Sequence, residues 1–324
     1  MCEQDKSRSD SEKQRHDTVA AEAMEAASQA KRTRQRWQKG LCTLLLFPVM
    51  ALAEPGFWHA SKEGRNLWIL GSIHVGLDNF YPLPAPIEQA WKQSDVLILE
   101  TDMRDISANE SAQIATMSQL PAGSTLATTL PPALYQQTLK QTRLYGLPDA
   151  QINQMQPWVV AITLTQQALQ RAGYQPELGV DEHFASQAMR LGTPIRGLER
   201  VPEQFAYLAG LSQQEDDFLQ ATLEQIGTMD AEVPKLLQAW QAGDGPALQK
   251  LLSQEQGTSA ALQEYMERRL LKERNHNWLP KLLAMPEKNQ FLVVGAQHLY
   301  GPDGLLTLLR QQGYQLQVVT DAHE

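Results

Sequence analysis

Four short apolar runs punctuate the chain, and each stops on a glycine or a carboxylate. Phe291 to Val294 runs into Gly295, and Leu67 to Leu70 runs into Gly71. Val96 to Leu99 runs into Glu100, while the weaker Thr193 to Leu198 stretch, interrupted by Arg196 and Gly197, runs into Glu199. Continuous runs of this length, without polar alternation, suit strands buried on both faces of a mostly parallel sheet. A hairpin is expected at Lys62 to Arg65, with Glu63-Gly64 as its turn and His59 on the surface of its first strand.

Helical spacing fills the intervals. Prolines 82, 84 and 86 feed a helix that carries Ile87, Ala90 and Trp91, so strand, helix and strand form a right-handed βαβ unit. Residues 105–191 read as helical, with helices at Pro131 to Tyr145 and Trp158 to Arg171 stopped by Gly146 and Gly173. Another helix opens at Gly179 to Phe184, where Asp181 and Glu182 suit its positive end. Residues 200–285 read as amphipathic helices at Gln204 to Ala209, Asp216 to Ile226, Val233 to Ala242 and Ala260 to Leu283, and Leu305 opens a last one. Met229, Met266 and Met285 read as core filler. The expected fold is α/β: one domain over 54–324, a mostly parallel central sheet built from two related halves, and large helical insertions at about 105–191 and 200–285.

The first 53 residues do not share this pattern. Arg32, Arg34, Arg36 and Lys39 precede an apolar core from Leu41 to Leu52, and Ala51-Leu52-Ala53 is a small-residue cleavage signal. That is the layout of a secretory signal peptide, with Met24 as an alternative start, and it predicts export to the periplasm. The apolar segment is shorter than the roughly 20 residues of a membrane span, so no stable insertion is expected after cleavage. A lipoprotein reading of Cys42 is poor, because Lys39, Gly40 and Leu41 precede it.

Charge and cysteine count narrow the chemistry. The chain carries 28 Lys and Arg against 37 Asp and Glu, with no basic run after the leader, which argues against nucleic acid as a partner. Both cysteines, Cys2 and Cys42, fall in the leader, so any metal site in the remainder must use His, Asp or Glu.

Those residue types stand at the strand ends. His74 follows Gly71 by three residues, and His298 follows Gly295 by three, so a G-x-x-H closes two of the four runs. One such motif is weak; two in matching strand-end context read as two halves of one site, where open α/β sheets place their ligands. The competing account has each histidine capping a turn through a carbonyl. Two imidazoles with Glu100 and Glu199 offer ligands for a divalent ion, and a carboxylate left over could serve as general base. Arg274 either holds a site carboxylate or a substrate carbonyl oxygen, or is an ordinary solvated arginine. His183 could reach the site, but reads first as a surface or packed helix residue. No H-E-x-x-H and no G-x-S-x-G occurs.

Taken in order, Gly71 to His74, Leu99-Glu100, Gly179 to Phe184, Gly197 to Glu199, Arg274-Asn275 with Trp278, and Gly295 to Gly304 resemble the TraB/PrgY/GumN family. That group includes the Tiki-type metalloproteases and is distantly similar to erythromycin esterase and the ChaN-like haem-binding proteins. The resemblance implies a sheet with two related halves and a divalent-metal site at His74, His298 and Glu100, with manganese or cobalt ahead of zinc. It also implies hydrolysis, most directly of peptides. Beside that signature, Glu100, Glu199 and Arg274 stand as the candidate catalytic residues, with Glu199 open between metal ligand, orienting group and core salt-bridge partner. Activity on lipid-modified signalling proteins does not carry over, since no C-terminal membrane anchor is read here. Two other readings stay open: a non-catalytic protein that binds a peptide, a haem or a metal, and a metal-free hydrolase that works through His and Glu.

Overall fold

The computed structural model describes residues 56–253 and 258–320. The expected leader, its cleavage signal, Met24 and both cysteines lie outside the described residues.

Strands form where the apolar runs stand. They are β1 (Phe57–Lys62), β2 (Arg65–Ser72), β3 (Val96–Leu99), β4 (Ile195–Gly197), β5 (Asn289–Gly295) and β6 (Gln315–Val318). One six-stranded sheet joins them in the order β4-β3-β5-β2-β1-β6. β4, β3, β5 and β2 run parallel to one another, and β1 runs antiparallel to both β2 and β6. The β1–β2 hairpin turns at Glu63 and Gly64, both with positive φ. β6 has no apolar run and its side chains are mostly exposed; pairing to β1 makes it a strand. β4 is shorter than its sequence stretch, since Arg196 and Gly197 are exposed at the sheet edge.

Parallel strands buried on two faces sort their side chains by alternation. Leu97, Leu99, Phe291 and Val293 face one layer, against Trp91 of the helix Ala85–Lys92, Phe184 of Val180–Leu191, and Trp240. Val96, Ile98, Leu292 and Val294 face the other, against Trp278, Leu279 and Leu282 of Arg274–Ala284 and Leu305 to Leu309 of the last helix. The result is a three-layer α/β/α core. A separate apolar cluster ties the helices between β3 and β4 to the next long helix, through Leu126, Leu134, Val160, Leu164 and Leu219.

Two helical stretches differ from their sequence pattern. The pattern breaks between Ile226 and Val233, yet Glu215–Gln241 is one helix with Pro234 inside it. Met229 is buried in the gap and anchors it, and the proline's missing N–H releases only the carbonyl of Asp230, an exposed residue. The Ala260 to Leu283 stretch is continuous, but Met266–Glu273 is a π-helix. This wider turn ends at Arg274, a placement typical of functional sites. No helix among the described residues is long and apolar enough to cross a membrane.

Parallel pairing fixes where the strands finish. Ser72 pairs with Gly295, and Leu99 with both Val293 and Gly197, so the carboxyl ends of β2, β3, β4 and β5 share one edge.

Candidate active site

Four strand ends deliver four of the expected residues to that edge. His74 and His298 follow β2 and β5; Glu100 and Glu199 follow β3 and β4. They meet around Gly295. A Cβ built on that glycine would lie 3.1 Å from Glu100 Oε1, 3.7 Å from His298 Cδ2 and 3.8 Å from His74 Nε2. Only a residue without a side chain leaves this space open.

Arg274 binds the carboxylates together. Its Nη2 donates to Glu100 Oε2 at 2.6 Å and to Glu199 Oε1 at 2.7 Å, and its Nη1 donates to His298 Nε2 at 3.1 Å. The guanidinium also lies over the Trp278 ring, 4.6 Å from the centroid. Arg274, Glu100, Glu199 and His298 are all buried, so the solvated-arginine account fails and the carboxylate-holding one stands. Glu199 Oε2 accepts from Trp278 Nε1 at 2.9 Å, which leaves Glu199 as the group that orients Arg274. Glu100 is held from two more sides, by the Gly295 N–H at 2.8 Å and the Gln204 amide at 3.1 Å.

The two histidines differ in environment. His298 is 4% exposed, its Nδ1 is 2.7 Å from Asn275 Oδ1, and its ring packs against Trp278. His74 leaves 70% of its side chain exposed and donates from Nδ1 to Asp181 Oδ2 at 3.1 Å. Asp181 Oδ1 in turn accepts from the buried Ser72 hydroxyl at 2.9 Å. Asp181 arrives there because two glycines allow backbone contact. A Cβ on Gly179 would lie 2.7 Å from the His74 carbonyl oxygen, and one on Gly76 only 1.9 Å from that of Leu178.

These surroundings push the imidazoles apart. The Asp181 carboxylate pulls His74 up to about 9 against desolvation, although water around the ring screens part of the effect. Burial takes His298 down to about 4, with Arg274 adding to it, so the ring is neutral at pH 7. Burial works to raise Glu100, but its neighbours His298, Arg274 and His74 and the Gly295 N–H outweigh it and hold the carboxyl ionised. With His298 neutral, Arg274 is the buried cation that does this at pH 7. Burial raises Glu199 above the usual carboxylate range, opposed by Arg274.

His183 stays out of the site. Its ring stacks on Tyr81 at 3.8 Å between centroids, and its Nε2 accepts from the Gln187 amide at 2.6 Å. Burial lowers it to about 4, with Arg190 adding to the effect. A histidine depressed on folding stabilises the protein above the unfolded value of 6.5 and loses that contribution as pH falls toward 4. Urea unfolding at pH 7 and pH 4.5 is therefore expected to differ by roughly 2–3 kcal/mol on account of His183. The variant His183→Gln should show a correspondingly flatter pH profile over that window.

Asp181, Asn275, Ser72 and Gln204 are site partners that the strand-end pattern does not reveal. Asp181 reads in sequence as a helix-end acid; its other signals are its place in the family-like stretch Gly179 to Phe184 and the pair of glycines, Gly76 and Gly179, that bring its helix to His74. Among the described residues, no three His, Cys, Asp or Glu side chains lie close enough as they stand to hold an ion. The donor chemistry nevertheless fits a divalent ion: each imidazole has its Nδ1 against an oxygen, as metal-binding histidines do, and Glu100 Oε1 lies 3.8 Å from His298 Nε2. As the side chains stand, the His298 Nε2 lone pair and Glu100 Oε2 are taken by Arg274.

The sequence model of the TraB/PrgY/gumN family matches residues 56–318. YbaP of Escherichia coli (strain K12), itself uncharacterised, is 26% identical over 82% of this chain and 92% of its own length. Metalloprotease TIKI1 of Danio rerio is 26% identical over 79% of this chain and 61% of its own, and TIKI1 of Homo sapiens 26% over 87% and 65%. This chain thus spans less than two thirds of the TIKI proteins. No solved structure matches it. The strand-end motifs and a match running from β1 to the last residue of β6 coincide, and the chain belongs to the TraB/PrgY/gumN family.

Proposed function

We propose that this protein is a periplasmic divalent-metal-dependent hydrolase that cleaves peptide bonds, on a sheet of the two-halved erythromycin-esterase and ChaN-like kind. The observation that carries this reading is the meeting of His74, Glu100 and His298 around Gly295, each imidazole braced from behind by Asp181 or Asn275. Family membership and relatives named as metalloproteases support it.

His74, His298 and Glu100 would hold the ion, with manganese or cobalt preferred to zinc. When bound, the ion supplies Lewis acidity, polarising a carbonyl and lowering the pKa of bound water. The chain's own residues do the rest. Asp181 and Asn275 keep the rings oriented, Glu199 fixes Arg274, and Arg274 is the buried cation beside which a carbonyl oxygen can gather charge. Glu100 is kept ionised and able to take a proton from an attacking water when it is not fully engaged as a ligand.

Metal analysis of protein purified without a His tag is expected to find about one divalent ion per chain. The variants His74→Ala and His298→Ala should lose it. Turnover of a mixed peptide library under that ion should fall by about 10²–10⁴-fold in Glu100→Gln. Full metal occupancy in both histidine variants would sink the proposal.

A second reading rests on the Arg274 bond to His298 Nε2 and on the unlike ionisation of the two rings, a pairing that suits metal-free acid and base work by His and Glu. Chelator-resistant turnover favours it. Binding of peptide or haem without turnover, unchanged in Glu100→Gln, points instead to a non-catalytic binding protein.

A further inference from the structure

We propose that Asn275 is a positioning residue which holds His298 in one tautomer, with its proton on Nδ1 and its lone pair on Nε2 turned to the Arg274 guanidinium. The Asn275 amide is 2% exposed, and its orientation is not free. Its Nδ2 donates to the backbone carbonyls of His298, at 3.1 Å, and of Asp303, at 2.9 Å. Carbonyl oxygens only accept, so both amide hydrogens are spent on them. Turning the amide over would set its oxygen against two other acceptors in a buried place, at a cost of two lost hydrogen bonds.

Asn275 Oδ1 must therefore face His298 Nδ1, at 2.7 Å, and an amide oxygen can only accept. The ring proton lies on Nδ1. The opposite side of the ring gives the same answer independently. Arg274 Nη1 lies 3.1 Å from Nε2, and a guanidinium only donates, so Nε2 must carry the lone pair. Free histidine side chains favour the other tautomer, so the site imposes this one from both sides of the ring, with the Asn275 amide as the acceptor that takes the Nδ1 proton. His74, with Nδ1 donating to the Asp181 carboxylate, is arranged alike, so each ring has its Nδ1 against a side-chain oxygen. Asparagine suits position 275 because one side chain must accept once and donate twice. Aspartate keeps the acceptor and loses both donors; leucine keeps neither.

The catalytic consequence rests on the proposed hydrolase, but the tautomer does not, and the test separates them. In protein labelled with 15N-histidine, long-range 1H–15N spectra at pH 7.5 report which ring nitrogen bears the proton, and His298→Gln identifies the His298 signals by their loss. The expected result is a protonated Nδ1 and an unprotonated Nε2 in the parent chain. Asn275→Leu should turn the ring to a mixture or to the Nε2–H form, and Asn275→Asp should restore the Nδ1–H form. Divalent-ion affinity should fall about 10- to 100-fold in Asn275→Leu and recover in part in Asn275→Asp. A parent spectrum with the proton on Nε2 overturns the assignment outright, even if neither variant folds. An unchanged Nδ1–H signal in a folded Asn275→Leu overturns the role of Asn275. A correct tautomer in a protein that turns nothing over would leave this assignment standing and count against the hydrolase.

Discussion

Replacing Arg274 by leucine is expected to lower the free energy of unfolding by about 3–5 kcal/mol, because it strands two buried carboxylates at once. Glu100 and Glu199 are 6% and 5% exposed, and both take their shortest hydrogen bond to a side chain from Arg274 Nη2. Without it Glu199 keeps only Trp278 Nε1, and Glu100 keeps only the Gly295 N–H and the Gln204 amide. Neither set supplies a charge, and the cation left near Glu100 is His74, which water screens. Glu199, already raised by burial, would rise further and take up a proton, and Glu100 would lose the buried cation that keeps it ionised. The folded variant then binds more protons than the unfolded chain, and its stability falls as pH rises from about 4.5 through the new value. The deficit should accordingly be larger at pH 8 than at pH 5. In thermal melts at pH 7.5 the midpoint should drop on the order of 10 °C. Arg274→Lys should fall between the two, since one ammonium keeps the charge but cannot reach Glu100, Glu199 and His298 together. A leucine variant as stable as its parent at pH 7.5 would show that the network does not hold the fold.

Gly295→Ala is expected to act in the opposite sense, sparing the fold and removing function. Gly295 has φ −48 and ψ 132, a conformation open to any residue, and its N–H bond to Glu100 survives the change. Stability should stay within about 1 kcal/mol of the parent in urea titrations. The added methyl, however, occupies the place where Glu100, His298 and His74 come together, 3.1 Å from Glu100 Oε1. Shifting such groups by even 1 Å costs about 10²-fold in rate, so turnover of any peptide substrate should fall by at least that factor. Divalent-ion stoichiometry should drop with it, and Gly295→Val should abolish both. If the alanine variant keeps full ion binding and turnover, the space beside Gly295 is not where the chemistry happens. Arg274→Leu changes stability and function together, so the two variants separate what keeps the site folded from what keeps it open.

The sheet was legible because its strands are short, apolar and buried on two faces. Val96 to Leu99 and Phe291 to Val294 admit few other fates. Glu100 and Glu199 stand out as carboxylates immediately after such runs, and His74 and His298 as a repeated motif. Local pattern was a poorer guide in two places. Gly227 and Pro234 suggest a break that the long helix Glu215–Gln241 does not make, because burial of Met229 holds the intervening turn. β6 has no apolar signature, because its strand state is owed to pairing with β1 across more than 250 residues of chain. Asp181 and Asn275 were not legible as site residues. Asp181 is an acid near the start of a helix, where aspartate is common for reasons unrelated to any site, and Asn275 sits inside a continuous helix with no pattern of its own.

The chain's own order of residues therefore determined the elements, the strand ends, and the residue types offered there: two imidazoles, two carboxylates and a glycine. Periodicity and turn chemistry act between near neighbours, and a sequence displays near neighbours directly. Only the tertiary structure decided the partners: Arg274 between Glu100, Glu199 and His298, Asp181 behind His74, and Asn275 behind His298. The physical reason is that these are contacts between groups 23 to 174 positions apart along the chain. Ionisation state and tautomer follow from such contacts, through burial and facing donors, and no local pattern encodes them.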